Sequence, residues 1–172
     1  MLKEILEKVK KANIEEIKEA FLFSAFFILN GNFEIETKQL DFYLPKEKET
    51  ITITVNEKIT KRREPFEDEE VKEINQDINI DVEELKKIVL KEIKKFKMQA
   101  YELNKVIAIL QNVKFKNGIK QTKQIWNVIC LFSSFQMLRL YIDCFNGKIL
   151  KEEKHSIFDF VKMEKGKAAG GT

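Results

Sequence analysis

The chain has 172 residues, 44% of them hydrophobic and 34% charged, with a formal net charge of +3. That is the composition of a folded chain with a sizeable core, and it excludes both an intrinsically disordered protein and one whose charge alone would name a polyanionic partner. The longest apolar run, Ala20 to Leu29, is half of the roughly 20 residues that a helical membrane span needs.

Leu2, Ile5, Leu6 and Val9 recur at helical spacing. Acidic residues break any basic leader, so the opening reads as an amphipathic helix rather than a secretion signal. Asn13 is placed to cap a second helix over Ile14 to Leu29, closed by Asn30-Gly31. The latter half of that helix, AFLFSAFFIL, is apolar on every side, which predicts burial between layers. Phe33 to Leu44 reads as a strand. After a turn at Pro45 to Lys48, Ile51, Ile53 and Val55 alternate with threonines over Thr50 to Asn56, as in a half-buried antiparallel strand. Lys58 to Arg63 continues the pairing until Pro65 stops it.

Glu64 to Glu84 carries ten carboxylates against one lysine, while Lys86 to Lys97 is basic. Residues 65–80 therefore read as an acidic linker. Asp81 is an N-cap with Glu84 three residues on, and the helix it opens shows Leu85, Ile88, Val89, Ile93 and Phe96 on one face. Val106 to Val113 is a strand and Lys116-Asn117-Gly118 a turn. A hairpin over Ile125 to Ile142 turns at Ser133-Ser134-Phe135-Gln136, which sets Cys130 opposite Arg139. Cys144 falls out of register with Cys130, so the two cysteines are expected to be free, buried thiols, as suits a reducing cytoplasm. Ile157, Phe158, Phe160 and Val161 read as a last docking element, and residues 163–172 as a disordered tail.

Helix-then-strands occurs twice, and IEEIK at Ile14 parallels VEELK at Val82. The expected class is α+β, with helices packed on antiparallel sheet in two pseudo-repeated αβββ units. The units are residues 1–64 and 81–162, with the acidic linker between them.

The end of the hairpin, YIDCFNGKIL, places Asp143 before a tight turn at Asn146-Gly147, followed by Lys148 and Ile149. Asp143 can accept backbone N–H bonds across that turn, and Asn-Gly supplies the positive φ it requires. With the preceding helix and strands, residues 81–150 resemble a PepSY-type domain, a small cystatin-like module of one helix against a curved antiparallel sheet. The resemblance implies a binding or regulatory module without catalytic residues.

No chemistry-bearing constellation is visible. His155 is the only histidine and stands beside Glu152 and Glu153, short of a zinc ligand set. Six glycines, three of them in the tail, form no phosphate loop. Glu67 to Glu70 lacks the glycine turn of a calcium loop. Trp126 sits among apolar neighbours and reads as packed rather than as a stacking platform. Two basic clusters, Lys58, Lys61, Arg62 and Arg63, then Lys114, Lys116, Lys120 and Lys123, could hold phosphates without reading sequence. The expectation is a non-enzymatic cytoplasmic binding or structural module without metal or cofactor. Its expected partner is a protein, with a homodimer favoured; the alternative is a lysine-mediated nucleic-acid accessory protein.

Overall fold

The structure, a computed structural model, describes residues 1–66, 70–117 and 119–156. The expected turn at Gly118, most of the acidic run from Glu67, the apolar element at Ile157 to Val161 and the tail 163–172 lie outside the described residues.

Helix α1 (Leu2–Lys11) opens the chain, and a 3-10 turn at Glu15–Ile17 follows it. Four strands come next: β1 (Phe21–Asn30), β2 (Ile35–Leu44), β3 (Glu49–Val55) and β4 (Ile59–Pro65). Helix α2 (Val82–Lys95) then precedes β5 (Leu103–Asn117), β6 (Ile119–Phe132), β7 (Gln136–Asp143) and β8 (Ile149–Ser156). All eight strands form one antiparallel sheet in the order β4-β3-β2-β1-β5-β6-β7-β8. This overturns the α+β expectation. Among the described residues strand takes up 51% and helix 20%, so the fold is mainly β. Each half of the chain supplies four strands rather than three, and they share a single sheet.

The helix expected over Ile14 to Leu29 is instead the 3-10 turn and β1. Asn13, expected to cap it, lies in a turn with φ 46°. A ten-residue apolar run satisfies a buried helix and a central strand equally well by pattern, and here phenylalanine and isoleucine favour the strand. β1 lies inside the sheet, flanked by β2 and β5, so both of its faces are apolar.

Leu22, Ala25, Phe27 and Leu29 of β1 point to one side, where they join Val106, Leu110, Trp126 and Leu138 in a single core. Leu2, Ile5, Leu6 and Val9 of α1, with Val82, Leu85, Val89 and Ile93 of α2, pack into that same core. Both helices therefore cover one face of the sheet. Asp81 caps α2, its Oδ1 accepting from the Glu83 and Glu84 amides at 3.0 and 3.2 Å.

Between β4 and α2, residues 72–80 cross this covered face as a hydrogen-bonded strap. Its Ile74 is buried and the Ile74 amide donates to the Leu22 carbonyl at 2.9 Å. Gln124 both accepts from the Asn75 amide (2.6 Å) and donates to the Asn75 carbonyl (2.9 Å), in the manner of a strand neighbour. Asn112 donates to the carbonyls of Lys72 and Glu73, and the Trp126 indole donates to that of Ile80 at 2.8 Å.

The hairpin turns where expected, but Cys130 pairs with Leu138 and Arg139 with Ile129, one residue away from the expected register. A one-residue slip moves every side chain to the opposite face. The expected register would have set the Arg139 guanidinium in the core beside Cys130.

Two glycines differ in what they tolerate. A Cβ on Gly31 would lie 2.0 Å from the Leu103 carbonyl oxygen, a backbone atom that β5 holds in place. Gly147 has φ +74°, and a Cβ there would come nearest to side-chain carbons of Ile80 and Ile88, at 3.2 Å or more. Gly31→Ala is expected to destabilise the protein by more than about 3 kcal/mol. Gly147→Ala is expected to cost about 1–2 kcal/mol for the left-handed backbone. Urea melts of the two variants rank them; equal costs would show that the β1–β5 approach yields.

Candidate functional site

The face of the sheet opposite the helices carries an apolar stripe. Phe26 pairs with Ile109, Ile28 with Ile107, and Ile107 with Ile129, so these five side chains adjoin across β1, β5 and β6. All five are half-buried, shielded by one another within the sheet. On one flank the face turns polar. Asp41 accepts from Gln39 Nε2 at 3.0 Å and from Thr52 Oγ1 at 2.7 Å, and Thr37 and Thr54 continue that flank. On the other, Arg139 donates to Asn127 Oδ1 at 3.0 Å. The Arg139 guanidinium lies 4.9 Å from the Tyr141 ring centre, Lys151 Nζ 5.5 Å from it, and the Phe115 ring 6.1 Å away, edge-on. An apolar middle within a polar rim is the layout of a protein-docking surface.

The turn residues sit at the foot of β7. Asp143 Oδ1 accepts from the amides of Phe145 (3.0 Å) and Asn146 (3.3 Å), while the Asp143 carbonyl accepts from Gly147 N at 2.9 Å. Asn146 Oδ1 accepts from Lys148 N at 2.9 Å. Beyond the turn the chain continues into β8. The same corner anchors the strap, since the Cys144 carbonyl accepts from the amides of Asn79 and Ile80.

The basic residues fall into two separate places. Lys61, Arg62 and Arg63 lie on the edge strand β4, with Lys58 exposed in the turn before it. Lys61 pairs with Glu16, Arg63 with Glu49, and Arg62 with Glu64 at 3.3 Å. The hydrogen bond from Lys61 holds the Glu16 carboxyl below its usual pKa. Lys114 and Lys123 lie on the ribbon of β5 and β6, which runs past β1, whose pairing with β5 stops at Gln111. Lys116 and Lys120 are directly opposite in register on that ribbon, and Lys114 pairs with Glu70. Four strand spacings, about 19 Å, separate β4 from β5, so the clusters do not form one surface.

Both cysteines are free and buried. Burial pushes the Cys130 thiol up to about 12. Burial, then the Asp143 charge, pushes Cys144 up to about 11. Trp126 is packed in the core. His155 sits on β8 opposite Met137 and is half-buried. Among the described residues no group of three His, Cys, Asp or Glu side chains could hold a metal ion.

Sequence reasoning missed two features. The stripe was hidden because two of its five residues, Phe26 and Ile28, lie on β1, which reads as helix. The other is an apolar cavity of about 280 Å³ beside α1, whose half-buried Ile14 and Ile17 had been assigned to that same helix.

No family model matches the chain. No curated protein matches it either. A crystal structure of a "putative lipoprotein" from Clostridium difficile 630 is similar to this chain, with a TM-score of 0.57 and 10% identity, over 87% of this chain and 92% of that one. At that identity the likeness concerns the fold alone. Among the described residues, no helix is long and apolar enough to cross a membrane.

Thiolates, not thiols, react with alkylating reagents, so both cysteines are expected to label slowly in the folded protein at neutral pH and rapidly in denaturant. Their raised values also fix a sign. The stability they contribute is complete below the ordinary thiol pKa near 9 and is lost as pH rises through about 11 and 12. Fast native labelling at pH 7 would show that one of the thiols is accessible and ionised.

Proposed function

We propose that the protein is a non-enzymatic binding module that docks a protein partner on the open face of its sheet, and that this partner is first a second copy of itself. The single observation that carries this is the stripe of Phe26, Ile28, Ile107, Ile109 and Ile129, on which neither helix lies. Eight strands about 4.8 Å apart, the shortest of them seven residues long, present at least roughly 900 Å² per copy. A standard interface takes about 800 Å² from each partner. A flat face of that size suits another flat face better than it suits a small ligand, and a two-fold axis would set the stripe against itself. The likeness of residues 81–150 to PepSY-type domains supports the same class of role. The unbridged thiols support a reducing, cytoplasmic location.

Light scattering at micromolar concentration tests the reading. The expected mass is twice the 20.3 kDa of one chain, and Ile109→Lys is expected to return it to one chain without lowering the melting temperature by more than a few degrees. A single-chain mass that does not change with concentration rejects the dimer.

A second reading rests on the β5–β6 ribbon, since a two-stranded ribbon fits a duplex major groove. Residues 112–124 carry four lysines and no carboxylate. If the ribbon binds nucleic acid, retention on duplex DNA falls steeply with salt, and changing Lys114, Lys116, Lys120 and Lys123 to Gln abolishes it. No retention near physiological salt is the outcome expected of a protein-docking module.

A further inference from the structure

The cavity beside α1 is an under-filled end of the core. Ile14, Ile17 and Ala20 pack against the core yet remain half-exposed, because with Leu6, Val9 and Phe21 they wall a space of about 280 Å³. Eight of its thirteen lining residues are apolar and five are polar, Lys10, Asn13, Lys18, Glu73 and Gln76, so a group that is apolar with a polar end would complete the packing. The cavity opens into a wider polar groove of about 600 Å³ between α1 and the strap. Lys10, Glu73 and Gln76 line both spaces.

Lys10, Lys18 and Glu73 line the cavity, and the groove adds Lys3, Glu7 and Asp77. Lys18 is held by Glu15 at 2.6 Å, and Lys3 by Asp77 at 2.5 Å. The exposed side chains of Lys10 and Glu73 have no ion-pair partner among the described residues. Glu7, also without an ion-pair partner among the described residues, lines the groove but not the cavity, so the cavity's own lining keeps one unpaired cation and one unpaired anion, which complement a head that carries both charges. An acid or an amine alone would leave one of them opposed. A volume of about 280 Å³ corresponds to roughly nine waters, or on the order of ten non-hydrogen atoms, the size of an amino acid rather than of a lipid.

We propose that this cavity binds a free α-amino acid with a large apolar side chain, such as leucine or phenylalanine. The side chain fills the space under α1, Lys10 receives the carboxylate and Glu73 the ammonium. The site lies on the helix-covered side of the sheet, independent of the open face.

Calorimetric titration of the full chain with L-phenylalanine and L-leucine tests the proposal, with phenylacetate and phenethylamine as probes that each lack one charge. Saturable one-site binding with a rise in melting temperature is expected, with each single-charge probe about tenfold weaker. Lys10→Gln is expected to weaken the amino acids about tenfold while leaving phenethylamine unchanged, and Glu73→Gln to weaken them similarly while leaving phenylacetate unchanged. Both positions are exposed, so these variants fold. Ala20→Phe, which occupies the cavity, is expected to abolish binding and keep or raise the melting temperature. Absence of saturable binding at about 10 mM ligand, equal binding of a single-charge probe, or full binding by the Lys10 and Glu73 variants would each overturn it.

Discussion

The seven antiparallel pairs between β1 and β5, from Ser24 with Gln111 to Asn30 with Lys105, turn two four-stranded halves into one sheet, and most other features follow from them. They place β1, the most apolar strand, at the centre. Ala25, Phe27 and Leu29 with Val106, Ala108 and Leu110 form the floor under the helices. Phe26 and Ile28 with Ile107 and Ile109 form the stripe on the other side. The core and the open apolar face are thus two sides of one pairing. Gly31 belongs to the same seam, since its backbone passes against the Leu103 carbonyl where no side chain fits. The seam joins segments some eighty residues apart, so its loop-closure entropy must be met before the central contacts form.

Polar groups on the covered face are satisfied by side chains that stand in for backbone. The strap has no strand neighbour, yet Gln124 gives Asn75 both a donor and an acceptor, and Asn112 and Trp126 satisfy three more strap carbonyls. The strap thereby crosses the core with its backbone hydrogen-bonded, the condition for burying a segment without regular structure. Ile74 anchors it from below. At the far end of α2, Lys95 bonds Glu152 at 2.8 and 2.7 Å and lies 3.1 Å from the buried Glu92. That contact holds the Glu152 carboxyl below the usual carboxylate range and ties α2 to the edge strand β8.

What was legible in the sequence was local. Thr50 to Asn56 reads as a strand by its alternation, Asp81 reads as a cap because its carboxylate has two amides to accept, and both match the structure. The turn at Ser133 to Gln136 was legible; the register one residue away depends on Phe135 taking φ 59°, which composition does not signal. Phe21 to Leu29 was misread because an unbroken apolar run has no period, and only the presence of β5 on one side and β2 on the other decides between helix and strand. That one segment carried the fold class, the stripe and the cavity with it. The strap was illegible for a related reason. Its acidic composition signals solvent, while its placement rests on single side chains, Gln124 and Asn112, about forty to fifty residues away.

The edges and the face of this sheet are treated differently, and the contrast bears on how the protein meets a partner. Strand edges offer unpaired backbone groups, and proteins commonly guard them with charge and proline. β4 is exposed throughout, carries Lys61, Arg62, Arg63 and Glu64, and ends on Pro65. β8 runs Lys151, Glu152, Glu153, Lys154 at the opposite edge. Growth of the sheet by strand addition is therefore opposed on both sides. The centre of the open face has no such guard: Ile28, Ile107 and Ile129 follow one another across three strands without a charge between them. A chain that places charge along both edges of its sheet and leaves the middle of one face apolar directs association to that face.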